Sequence, residues 1–413
     1  MPCGQAGFVV HQELLSQQRG RFLCRRNGGV AMSLSRADRS GLAAWWWTVD
    51  HVAVFTMLAI LAIGIMLAFA ASPAETGGLL SAGNFRYAWH QSFYAVIALF
   101  ILWFTSTLSL RTVKLTAAVV FALALIGSLL AILLGSRVLG ARRWIDLGFM
   151  TVQPSEFLKP GFAVLAASIL ADKAKMILPK PVITLLLIAP VLLILLMQPD
   201  VGQTALMLSL WGALLFVYGV SALWISGLAG TLMLLVVGAY YNFGYVHHRV
   251  QQFLGSGGFQ TQLSLQAFAR GGFFGVGPGA GTIKYRLPDA NSDFIFAVAG
   301  EEFGLVLCGL IAVLFCVLAV RLLMRSAQAR DPFSQIAGAG LAIVVALQAF
   351  INMGVAISLL PAKGMTLPFI SYGGSSLFAI ALSLGFALAV TRQRPNIGQE
   401  HHDVFTFLRE TRP

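Results

Sequence analysis

Four carboxylates lie within one short stretch, RLPDANSDFIFAVAGEEFG (Arg286–Gly304), in a chain that has only 16 acidic residues among 413. Asp289 and Asp293 sit in its polar first half; Glu301 and Glu302 lie in an apolar run that reads as a helix. Pro288 with Asn291 and Ser292 marks a helix start. Asp293 therefore falls at the N-terminal end of that helix, at the membrane surface, where the dipole favours an anion. At 100° per residue, Glu301 is about 80° around the helix from Asp293, and Glu302 is opposite it. The two glutamates are expected to be structural charges paired with partners on neighbouring helices, and Asp289 a loop residue.

Three further stretches carry candidate chemistry. In QPSEFLKP (Gln153–Pro160), Glu156 and Lys159 are three apart, so they share a helix face and can pair. GARRWID (Gly140–Asp146) leads into it with Arg142, Arg143, Trp144 and Asp146. QPDVGQ (Gln198–Gln203) puts Asp200 at the end of an apolar segment, although Pro-Asp is also a common turn. LPAKGMTLPFISYGGSSL (Leu360–Leu377) is interrupted by Pro361, Gly364, Pro368, Gly373 and Gly374, with Lys363 its only charge. It reads as a re-entrant or broken segment, allowed at membrane depth only where it lines protein or a watery cavity. The glycine-rich loop with Arg249, Arg270, Lys284 and Arg286 has no P-loop pattern. It is a weak nucleotide candidate and a reasonable basic, backbone-exposing surface for a lipid-linked pyrophosphate.

The elements that must position these residues are membrane helices. The chain is 58% hydrophobic and 11% charged, with mean hydropathy +0.80, which excludes a soluble domain. Its apolar runs are too long and continuous for an outer-membrane barrel. Ten spans are expected, near 52–71, 93–110, 115–134, 157–171, 182–197, 203–220, 222–241, 294–318, 336–357 and 376–390. The fold class is thus an all-α polytopic membrane protein. A disordered tail (1–44) and a C-terminal tail (395–413) flank the ten-helix domain (45–394), with a large external loop between helices 7 and 8. Lys and Arg concentrate on one side, so both termini are expected in the cytoplasm, and much of the +12 net charge reflects topology. Met32 is a candidate natural start, and no cleavable signal peptide is evident. The four cysteines, Cys3, Cys24, Cys308 and Cys316, match no metal or disulfide spacing. No internal repeat of the kind found in many transporters is visible.

Taken in order, RRWIDLG with QPSEFLK, QPDVGQ, the GG-x-x-G-x-G-x-G loop running to LPDANSDFIFAVAGEEFG, and LPAKGMTLPFISYGGSSL resemble the shape, elongation, division and sporulation (SEDS) family. The resemblance extends from Trp45 to Arg394, and LPAKGMTLPFISYGGSS is closer to the cell-division branch than to the elongation branch. It implies a multi-pass bacterial glycosyltransferase of the inner membrane that polymerises lipid II, at the division site. Asp293 would be the catalytic carboxylate. Glu156, Lys159, Asp200, Arg143, Trp144, Lys363 and Ser371 would bind or support the substrate. Positive charge for the leaving pyrophosphate would come from Lys159, Arg143 and Lys363, or from a divalent cation (magnesium or manganese). The implied partners are lipid II, the growing lipid-linked glycan, a class B penicillin-binding transpeptidase and other divisome membrane proteins, with no nucleic acid. The chain departs from the family pattern at Asn291, Val276 and Leu263. The rival readings are a lipid II flippase, a non-catalytic divisome scaffold and, within the family, an elongation-type role.

Overall fold

The computed structural model describes residues 41–75, 85–138, 141–148, 150–174, 177–242, 251, 258–361 and 364–392. Met1–Thr48 and Val49–Pro413 form two separate compact units. In the first, Gly41–Thr48 is a helix (α1), so helical structure begins four residues before the expected boundary at Trp45. The remainder of both expected tails lies outside the described residues.

The second unit is a helical bundle. Its elements are α2 (His51–Glu75), α3 (Arg86–Thr107), α4 (Leu110–Leu134), α5 (Ser155–Ala171), α6 (Lys180–Met197), α7 (Val201–Tyr218) and α8 (Ala222–Asn242). Then follow α9 (Phe259–Gly271), α10 (Ile295–Ala327), α11 (Pro332–Ala356) and α12 (Gly374–Thr391). Each of the ten expected apolar segments falls on a helix. Among the described residues, eight helices are long and apolar enough to cross a membrane. α5 is shorter, with 17 residues and the Glu156–Lys159 pair. The fold is that of an all-α polytopic membrane protein.

One feature escaped the sequence reading. Between α4 and α5, β1 (Ser136–Val138), β2 (Ala141–Asp146) and β3 (Thr151–Val152) make a small antiparallel sheet. Pairing Ser136 with Trp144 and Asp146 with Thr151 folds the Arg-Trp segment back over the bundle end.

At the centre stands α12, almost wholly buried and packed on α3, α5 and α11. Its Ala, Ser and Gly residues permit this, because lipid tails supply no hydrophobic drive and membrane helices associate through close packing. A Cβ at Gly385 would collide with Thr105 of α3. By contrast, α3 turns Phe93, Val96, Phe100 and Phe104 outward, as a lipid-facing helix does. At the far end of α10, Arg321 and Arg325 both pair with Asp50, tying that end to the start of α2. Burial would raise the Asp50 carboxyl, but hydrogen bonds from Arg321, the Ala53 amide and Arg325 hold it below its ordinary value.

Candidate active site

Asp293 reaches its position through a tight turn. Asp289 adopts a left-handed conformation (φ 55°), and its carbonyl accepts from the amides of Ser292, Asp293 and Phe294. Aspartate tolerates this region better than most residues, which gives the exposed loop acid its role. The turn delivers the chain into α10 with Asp293 just ahead of the first helical residue.

Two contacts clamp that turn to the broken segment between α11 and α12, and a third ties it to α11. Tyr372 N donates to Asn291 O (2.8 Å), Ser371 Oγ donates to Ser292 O, and Asn352 Nδ2 on α11 donates to Asp293 O (2.9 Å). The same Asn352 amide group reaches Met365 O at 2.6 Å. Residues 364–373 are non-helical, and Leu367, Phe369, Ile370 and Ser371 are buried. Irregular backbone is thus enclosed in protein, as it must be at membrane depth. Gly364 (φ 62°) lies directly against the acid; a Cβ there would be 3.4 Å from Asp293 Oδ2.

Among the described residues no hydrogen-bond donor reaches the Asp293 carboxyl. The residue keeps some exposure, but protein packs closely round the carboxyl itself. Burial pushes its pKa from 3.8 up to about 7, Asp289 and Asp200 add to the rise, and Arg143 opposes it. Asp293 is therefore a carboxylate poised to exchange a proton near neutrality.

Asp200 and Arg143 connect this acid to a buried polar chain. Asp200 caps α7 through the Gln203 amide (3.2 Å), and its Oδ2 is 3.4 Å from Arg143 Nη1. Burial lifts the Asp200 carboxyl above its usual range despite Arg143 and the Gln203 amide. Arg143 also donates to Gln198 O (2.9 Å) and Pro199 O (2.6 Å), so three acceptors fix its guanidinium. Gln203 Nε2 then donates to Glu156 Oε1 (2.5 Å), and Glu156 Oε2 pairs with Lys159 Nζ (2.7 Å). Lys159 donates onward to Gln348 (2.7 Å), and Gln348 donates to Thr366 O (3.1 Å). Arg143, Asp200, Glu156 and Lys159 thus form one network that ends on the broken segment beside Asp293.

Several sequence expectations change. Lys159 is only 2% exposed and is held by Glu156 and Gln348, so it braces the site and is not free to meet a pyrophosphate. Trp144 is half-buried on β2, and no described contact links its ring to the acid. Lys363 lies outside the described residues. Glu301 and Glu302 are fully buried; Glu301 meets Arg270 of the neighbouring helix α9 at 3.9 Å, and its hydrogen bonds go to a loop. It accepts from the amides of Thr282, Ile283 and Lys284 (2.7, 2.9 and 3.1 Å). Glu302 takes the Gly279 amide (3.0 Å) and the buried Lys284 ammonium, which also donates to Ala70 O (2.7 Å).

Among the described residues of that loop, the amides of Val276, Gly277, Gly279, Thr282, Ile283 and Lys284, and the Lys284 ammonium, are committed to α10. At Gly304 the helix breaks (φ 75°, ψ −173°), and loop residues fill the gap. Val276 N and Gly277 N donate to the carbonyls of Glu301 and Glu302 (both 3.0 Å), while Leu305 N and Val306 N donate to Gly272 O and Phe273 O. The buried amides Gln198, Gln203, Gln348 and Asn352 were not singled out from the sequence. Lone polar residues inside apolar runs, such as Gln348 in VALQAF and Asn352 in FINMG, are the signal that marks them.

The described residues present no group of three His, Cys, Asp or Glu side chains able to hold a metal ion. Asp200, the acid nearest in chemistry to a ligand, is engaged by Arg143.

The model of the FtsW/RodA/SpoVE cell cycle protein family matches residues 50–396. The chain belongs to this family. Among FtsW/RodA/SpoVE relatives, it is 39% identical over 367 residues to the "Probable peptidoglycan glycosyltransferase FtsW" of Caulobacter vibrioides, covering 88% of this chain and 94% of that one. The protein of the same name from Coxiella burnetii is 34% identical over 378 residues, covering 85% and 98%. A chain from a structure titled "Structural coordination of polymerization and crosslinking by a peptidoglycan synthase complex" superposes with TM-score 0.72 at 27% identity, over 84% of this chain and 98% of that one. The Thermus thermophilus rod shape determining protein RodA gives 0.63 at 26% identity, over 85% and 99%. The matched span contains the Asp293 turn, the QPDVGQ cap and the broken segment, the three parts that meet at this site.

Proposed function

We propose that this chain is a peptidoglycan glycosyltransferase that polymerises lipid II at the outer face of the bacterial cytoplasmic membrane during cell division. Its relatives' names support the activity. The observation that carries the chemistry is Asp293, a carboxyl with a pKa near 7 at a helix mouth, free of described donors while its backbone is clamped from three sides. In this reading the growing glycan on its polyprenyl pyrophosphate is the donor, and a sugar 4-hydroxyl of lipid II is the acceptor. Asp293 takes the hydroxyl proton as the new glycosidic bond forms. The bond from the anomeric carbon to the pyrophosphate breaks, and the leaving group departs with the electron pair. Arg143, partly exposed and charge-coupled to Asp293, offers positive charge to that leaving group. Lys159, Glu156, Gln203 and Gln348 hold the QPDVGQ turn and the broken segment in register.

The partner reading follows the superposed synthase complex: a class B penicillin-binding transpeptidase crosslinks the strand that this chain makes. In this reading the chain crosses ten times with both termini in the cytoplasm, and Asp293 faces outward. The test is purified full-length chain with labelled lipid II and no other glycosyltransferase. Wild-type protein makes polymer and Asp293→Asn does not. Polymer formation by Asp293→Asn at the wild-type rate would refute the assignment, and lipid translocation without polymer would favour a flippase.

A further inference from the structure

Asn291 is 6% exposed, yet neither its Oδ1 nor its Nδ2 has a partner. Buried polar groups are nearly always satisfied, so a fully unsatisfied carboxamide calls for a partner the protein itself does not supply. Its place is fixed: Tyr372 N holds its carbonyl, and Ser371 Oγ holds the next one, two residues from Asp293. Two neighbouring amides are half-satisfied in the same shell. Gln91 Nε2 donates to Ser371 O (3.2 Å), and Asn352 Nδ2 to Asp293 O, while Gln91 Oε1 and Asn352 Oδ1 are unpaired. Beside them stands the half-buried Tyr372 ring, braced edge-on by Tyr87 with centroids 5.1 Å apart.

We propose that Asn291 and Tyr372 form a sugar subsite next to Asp293, one that binds an N-acetylated amino sugar of the lipid-linked substrate. Ligand chemistry decides this. A carboxamide with both ends open needs a group that donates and accepts together, as sugar hydroxyl and acetamido groups do. A pyrophosphate offers acceptors only, and a polyprenyl chain offers neither. The open carbonyls of Gln91 and Asn352 call for further donors, which hydroxyls supply. The ring gives the apolar C–H face of a sugar a flat surface. The subsite rests on the glycosyltransferase reading above, and it names what fixes the sugar in front of the base.

The test uses full-length protein in detergent, with Asp293→Asn as the background to prevent turnover. Two probes are titrated: labelled lipid II and undecaprenyl pyrophosphate, which lacks sugar. Asn291→Leu keeps the volume and removes both polar ends. It is expected to weaken lipid II at least tenfold, to leave the sugar-free lipid within twofold, and not to lower the thermal midpoint. Tyr372→Leu is expected to follow it and Tyr372→Phe to retain binding. Unchanged lipid II affinity in Asn291→Leu, meaning that a water satisfies the amide, overturns the proposal. So does equal weakening of both lipids. Polymerisation on the Asp293 background is read in parallel: lipid II binding that depends on Asn291 without polymer keeps the subsite and sinks the glycosyl-transfer reading.

Discussion

Replacing Asp293 with asparagine is expected to stabilise the protein in alkali while destroying its activity. The native carboxyl titrates near 7 against 3.8 for the ordinary group. Between those values the native state holds a proton that the unfolded chain has lost, so wild-type stability falls as pH rises from about 4 to about 7 and then levels. Three pK units correspond to about 4 kcal/mol. Partial solvent access to the mouth and relaxation reduce this, and about 2 kcal/mol is the working figure. For a domain of this size that is a few degrees of thermal midpoint. Asparagine carries no charge and escapes the penalty. The assay is thermal unfolding of both proteins in one detergent at a fixed scan rate, from pH 4 to pH 9. The variant's midpoint should match wild type near pH 4 and exceed it by about 2–4 °C above pH 7. A difference that does not change with pH would refute the reasoning, because only Asp293 ionisation distinguishes the two proteins.

Three other outcomes follow from the same geometry. Wild-type kcat/KM for lipid II should rise with pH through about 7 and flatten, because the base must be ionised; a profile flat from pH 5 to pH 8 contradicts this. Lys159→Met leaves Glu156 buried without its counter-charge and should cost about 3–5 kcal/mol, whereas Glu156→Gln with Lys159→Met should recover much of the stability in chemical denaturation. Gly304→Ala should destabilise by at least about 1–3 kcal/mol, from the backbone conformation alone, with an added clash on the Phe273 backbone; wild-type thermal stability would disprove the insertion of the glycine loop.

Membrane helices were legible in the sequence because lipid imposes a length and a composition, and the ten apolar segments all fall on helices. The site motifs were legible because charged residues are rare in such a chain. What each charge does was harder to read. Lys284 looked like part of a basic surface but lies buried against Glu302, since a sequence shows a charge and not its counter-charge. The glycine run suggested anion binding, but its amides close the gap in α10. Glu301 and Glu302 were read as structural and paired to neighbouring helices, and Arg270 of α9 does meet Glu301; their hydrogen-bond partners, a loop 17 to 23 residues upstream, follow from the chain's return path and not from helix periodicity. The connecting amides Gln203 and Gln348 carry no charge, so their signal, a polar residue in apolar surroundings, is weaker than that of the ionisable groups. The small sheet at 136–152 is too short to show alternation.

The break at Gly304 divides α10 into parts with different surroundings. Ile295–Glu302 is buried throughout, whereas Leu305, Val306, Leu310, Val313 and Val317 beyond the break are exposed. The second part therefore turns an outward face to lipid, while the loop from Gly272 to Gly277 is bonded to both sides of the break. When a bilayer is thinner or thicker than the helix prefers, tilt is the usual adjustment, and it is expected to act first on the part beyond the glycine.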